Sequence, residues 1–177
     1  MLLEAHLEMN KNKKPTLFIR TVCLVCFLIS SACFIVGCIR GSMALIFIGI
    51  PCYINILVLI HELGHATGCM IRKAEIIEIR TPILTIKNKS VMFLQDKNIE
   101  AYCSFKKKKN NTLIFAFGPL FSFVFSIIIA CLWLWLKGNV ALTLAIVSIM
   151  HFVKSIVPIA NSDMNMILAE RRKEKNR

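Results

Sequence analysis

The sequence predicts a mostly helical integral membrane protein, with four transmembrane helices and a short β-strand element on its cytoplasmic face. Three observations carry that expectation: the length of the apolar runs, the placement of basic residues around them, and a β-branched stretch between the second and third runs. Hydrophobic residues make up 56% of the 177 residues, more than a soluble domain usually holds. They are gathered into runs. A helix of about 20 apolar residues crosses the hydrocarbon of a bilayer, and the segments 17–39, 44–70, 113–136 and 140–160 each reach that length.

Residues 1–16 are polar and read as a cytoplasmic tail. The run 17–39 follows a basic stretch, as a signal peptide would. It is longer than the usual signal core and lacks a clear small-x-small cleavage site, so it is expected to remain as an additional transmembrane helix. The segment 44–165 holds the other three spans and the loop 72–112. The remainder, 166–177, is a basic tail, charged from Glu170 onward. Proline removes a helical donor and clashes with the turn before it, so the fourth helix should fail at Pro158.

The net charge of +12 has a topological cause. Lys11, Lys13 and Lys14 precede the first span, ten basic residues lie between Arg72 and Lys109, and five lie between Arg171 and Arg177. The two opposite connections hold only Arg40 and Lys137. Basic residues collect on the cytoplasmic side, so both termini and the central loop are expected there, in the cell membrane. The lipid bilayer is thus one expected partner, with Lys106 to Lys109 near anionic headgroups. Nucleic acid is not, because the charge already has its explanation. Low glycine with abundant lysine, asparagine and isoleucine fits a bacterial origin.

Most of the eight cysteines fall inside spans, where they read as small packing residues. Cys23 and Cys26 form a C-x-x-C without a partner pair, a weak metal signal. In the central loop, Ile76, Ile77, Ile79, Ile83, Leu84, Ile86, Val91, Met92 and Phe93 predict two or three short strands with a turn near Asn88.

The second span contains His61-Glu62-Leu63-Gly64-His65. Positions four apart share a helix face, so both histidines can hold one metal ion. Glu62 is rotated about 60° from His65 about the helix axis, close enough to flank that ion and reach its water. Zinc would lower the pKa of the water to about 7, and a neighbouring carboxylate could take its proton. Ionisable groups inside a membrane cost several kcal/mol each and are rarely retained without a function.

A catalytic zinc takes a third protein ligand, for which Asp163, His151, His6 and Cys69 are candidates. Counting helical rise from the outer end of each span puts the histidine pair about 25–32 Å down and His151 about 16 Å down. Cys69 lies about 6 Å beyond His65, and His6 has no fixed depth. Asp163, at the inner end of span four past the proline, is favoured, turned inward on irregular backbone. His151 and Lys154 then read as polar lining of the same cavity. Gly118 comes level with the histidines at about 27 Å. Gly64 and Gly68 allow close approach of a neighbouring helix, and Asn55 reads as an interhelical hydrogen-bonding residue.

These residues together resemble the site-2 protease family of intramembrane zinc metalloproteases. The matching motifs are His61 to His65, then Phe117-Gly118-Pro119-Leu120-Phe121-Ser122, then Asn161-Ser162-Asp163-Met164, across residues 44 to about 165. The resemblance implies zinc held by His61, His65 and Asp163, with Glu62 as catalytic acid/base and Gly118, Pro119 and Asn161 supporting the site. It also implies a membrane-embedded protein or peptide as substrate. The family's aspartate is usually followed by glycine, whereas here Met164 follows. Two rival functions carry different expectations. A catalytically silent scaffold of the same fold would dispense with the intact motif. A metal transporter would repeat its ligands along a path, yet span three has no ionisable residue.

Overall fold

The computed structural model describes residues 17–87, 90–93, 101–106, 111–158 and 162–175. It is mostly helical, with a small antiparallel sheet. Four helices are long and apolar enough to cross a membrane: α1 (Leu17–Arg40), α2 (Met43–Ile71), α3 (Thr112–Leu136) and α4 (Asn139–Ile156). Less than a third of the most apolar stretch of each of these helices is buried inside the protein. Side chains such as Leu28, Ile35, Phe47, Val124 and Ile128 stay exposed, the arrangement expected where lipid is the surrounding solvent. The fold fits a multi-pass membrane protein.

Glycine sets how closely the helices approach. A Cβ at Gly49 would fall 2.6 Å from the Phe34 Cα, bringing α1 onto α2. A Cβ at Gly64 would collide with the Phe117 carbonyl, and one at Gly68 would lie 2.9 Å from the Ile114 Cα. The four-residue glycine spacing is therefore the seam along which α3 lies on α2, as small-residue packing in membranes requires.

Hydroxyl groups add directed contacts. Tyr53 Oη and Ser148 Oγ are 2.6 Å apart, joining α2 to α4. Ser126 Oγ is 3.0 Å from the Ser148 carbonyl, joining α3 to α4. Asn55 does not bridge helices here: its amide nitrogen donates to the Pro51 carbonyl of its own helix at 2.8 Å. The side chain lies four residues on from Pro51, so that carbonyl is the acceptor within reach.

After α2 the chain turns at Lys73, which adopts φ +51°, and the Ala74 amide donates to the Cys69 carbonyl. Four strands follow: β1 (Ile76–Arg80), β2 (Leu84–Lys87), β3 (Ser90–Phe93) and β4 (Tyr102–Phe105), in the order β3-β2-β1-β4 with every pair antiparallel. The sheet has one strand more than the two or three expected. Tyr102–Phe105 has no β-branched residue to announce it and becomes a strand by pairing along β1. Asn88, the expected turn, lies outside the described residues. Ile76, Cys103 and Phe105 pack on Cys69, Ala74 and Ile114, seating the sheet on the adjoining ends of α2 and α3. On β1, Glu78 is buried and satisfied by Arg80 at 2.6 Å and Lys87 at 3.6 Å.

The last apolar helix stops at Ile156, and Val157 is extended. A residue before proline avoids the helical region, so the break precedes Pro158 and falls short of the expected span end at 160. Helix α5 (Asp163–Lys175) then begins, running through position 166, where the basic tail was expected to start. Ser162 Oγ accepts from the Asn165 amide at 3.3 Å, capping its first turn.

Candidate metal centre

Helix α2 presents His61 and His65 one turn apart, and the break after α4 brings back the start of α5. His61 Nε2 lies 2.8 Å from one Asp163 carboxylate oxygen, and His65 Nε2 lies 3.1 Å from the other. The two Nε2 atoms are 3.2 Å apart. A tetrahedral ion with bonds of about 2.0–2.1 Å holds its ligand atoms about 3.3 Å apart, so the three side chains suit one ion. His61, His65 and Asp163 are a group able to hold a metal ion, their ligand atoms lying within 4.8 Å of one another. Asp163 stands on the first residue of a helix, not on irregular backbone, and Met164 beside it is 37% exposed.

The far side of each imidazole is anchored. His65 Nδ1 donates to the Ile114 carbonyl at 2.8 Å, which leaves the Nε2 lone pair for a metal ion. His61 Nδ1 is 2.9 Å from Ser122 Oγ. Such outer partners fix ring orientation and tautomer. Both come from α3, the helix held close by Gly64 and Gly68. Burial pushes the Asp163 carboxyl up, but the two histidines beside it outweigh this and hold it at about 2. It is an anion at neutral pH, as a ligand must be.

Gly118 faces the rings directly. A Cβ there would overlap His65 and come 2.9 Å from His61 Nε2. Only a residue without a side chain leaves room for both imidazoles. Pro119 is buried next to it within α3 and does not line the cavity. Asn161 lies outside the described residues.

A cavity of about 660 Å³ opens at the group, lined by His61, Glu62, His65, His151, Lys154 and Asp163 together with sheet residues such as Tyr102 and Cys103. Glu62 is 5% exposed, and its Oε2 has no hydrogen-bond partner among the described residues. A buried carboxylate oxygen without a partner is costly; a water or ion in the cavity would relieve it.

His151 and Lys154 line the cavity as expected. The depth separating His151 from the pair does not survive, since the His151 and His61 ring centroids are 5.7 Å apart. Depth was counted from the outer end of each span. Helices of 29 and 18 residues differ by about 16 Å in length, so their ends cannot both be level. Ser122 and the Ile114 carbonyl were not singled out as site groups. The signal for Ser122 was its position four residues after Gly118, on the same helix face.

No protein-family model, no curated protein and no solved structure matches this chain. The fold and the site by themselves define a protein of four apolar, membrane-length helices with a buried His-His-Asp group able to hold a metal ion.

Proposed function

We propose that this chain is an intramembrane zinc metalloprotease, similar to the site-2 protease family, that hydrolyses peptide bonds in transmembrane or membrane-associated segments. The observation that carries the reading is the unpartnered Glu62 carboxylate oxygen beside the His61–His65–Asp163 group. Two imidazoles and one carboxylate form a donor set suited to catalytic zinc, which leaves a position open for water. Bound there, zinc would supply Lewis-acid activation of that water at neutral pH.

The chain's own residues account for the rest. Glu62 accepts a proton from the attacking water and returns it to the leaving amide nitrogen, so that one water is consumed, one C–N bond is broken, and an acid and an amine are released. Ser122 and the Ile114 carbonyl hold the imidazoles in place during the exchange. The apolar surfaces of α1–α4 keep the site in the bilayer, where membrane-embedded substrates are found. A transport path would need further ligand groups along the membrane normal, and among the described residues no second group is present.

The test is co-expression with tagged single-span membrane proteins encoded nearby, alongside the Glu62→Gln form. Cleavage by the wild type and none by the variant, with zinc retained in both, supports the reading. Equal cleavage by both would sink it.

A further inference from the structure

The two ligand histidines are tied down at Nδ1, one by Ser122 and one by the Ile114 carbonyl. His151 has no such anchor. Its ring stands edge-on to His61, at 82° between planes, and lines the cavity with Glu62 and Asp163. It is not part of the ligand group, and it has no hydrogen bond or ion pair to another described residue.

An imidazole within an apolar helix is costly unless its polar atoms find partners. A structural histidine would find one in the protein, as His65 does. A ligand histidine would join the group at hydrogen-bonding distance, as His61 does. His151 does neither, yet its ring carries an N–H whichever nitrogen holds the proton. Glu62 comes from α2 and His151 from α4, so a carbonyl group held at the ligand group meets a base from one helix and a donor from another.

We infer that His151 is a substrate-contacting catalytic residue: its ring N–H donates to the carbonyl oxygen of the peptide bond under attack. This rests on the proteolytic reading above. Negative charge gathers on that oxygen as water adds to the carbonyl carbon, and an N–H donor facing it binds the charged oxygen more strongly than the neutral carbonyl. Lys154, one turn further along α4 and lining the same cavity, adds positive potential on that side.

The experiment compares the zinc-loaded full chain with His151→Ala and His151→Gln, the second retaining an N–H donor. Two probes are titrated: N-acetyl-leucine phosphonic acid, whose tetrahedral oxyanion imitates the charged oxygen, and planar N-acetyl-leucinamide. His151→Ala should weaken phosphonate binding by about 10- to 100-fold and leave amide binding and zinc content unchanged. Where a cleavable peptide is in hand, kcat should fall by about 100-fold or more, the effect of removing one such donor, with KM little altered. His151→Gln should recover part of both losses.

Equal phosphonate binding by His151→Ala and wild type overturns the assignment. So does loss of zinc from His151→Ala, which would make His151 a ligand, or failure of the zinc-loaded wild type to bind the phosphonate. A wild type that cleaves no peptide sinks the proteolytic reading separately, and the phosphonate-to-amide comparison then decides the role of His151 by itself.

Discussion

Gly118 on α3 lies so close beneath His65 on α2 that a single methyl group there would overlap the imidazole. The same methyl would come 2.9 Å from His61 Nε2, so one glycine holds open the space in which both imidazoles stand.

Gly118→Ala should therefore disrupt the metal centre before it disrupts the fold. Overpacking costs about 1–3 kcal/mol, and here the cheapest relief is rotation of the rings away from Asp163. Zinc affinity should fall at least about tenfold while the helical signal in circular dichroism stays unchanged. Wild-type affinity in this variant would show that the rings have more room than the contacts allow.

Ser122→Ala should loosen His61 without removing a ligand. Loss of an outer partner costs about 10- to 100-fold in metal affinity, and Ser122→Thr should recover most of it by restoring the hydroxyl. Competition with a zinc-sensitive chelating dye measures both.

On the proposed reading Asp163→Ala removes a zinc ligand, and it should then weaken zinc by more than about 100-fold, beyond what an outer partner costs. Asp163→Asn keeps the shape and loses the anion, so it should fail nearly as badly. The two histidines alone would then hold the ion, and retention of zinc through dialysis in either variant would exclude Asp163 as a ligand.

Tyr53→Phe tests the helix packing apart from the metal. Its hydroxyl meets Ser148 in a buried contact between α2 and α4, and such interhelical bonds contribute about 0.6 kcal/mol, up to about 1.7. Stability in SDS titration should drop by that amount, with zinc content unaltered.

The lysine and arginine bias predicts an orientation in the membrane. Reporter fusions at Glu8, Ser90 and Lys175 should give a cytoplasmic signal, and fusions at Gly41 and Gly138 the opposite. A periplasmic signal from Ser90 would reverse the side from which the cavity opens.

The helices and the first half of the site were legible because both depend on local regularities. Apolar length against bilayer thickness located α1 to α4, and the four-residue spacing of His61 and His65 on a helix face held without knowledge of any partner. Asp163 could be favoured only by comparing span depths across helices and adding a proline break, with the family resemblance agreeing, and its place on the first turn of a capped helix is not readable from those signals.

The spans, the histidine pair with its glutamate, and the glycine seam along α2 are all readable along the chain. Packing between elements places His151 level with His61, sets Ser122 and the Ile114 carbonyl against the rings, and adds Tyr102–Phe105 to the sheet. The reason is physical. Rise and rotation within one helix follow from its hydrogen bonds. The vertical offset between two helices, and the pairing of a short strand, are set by which side chains interdigitate across the interface.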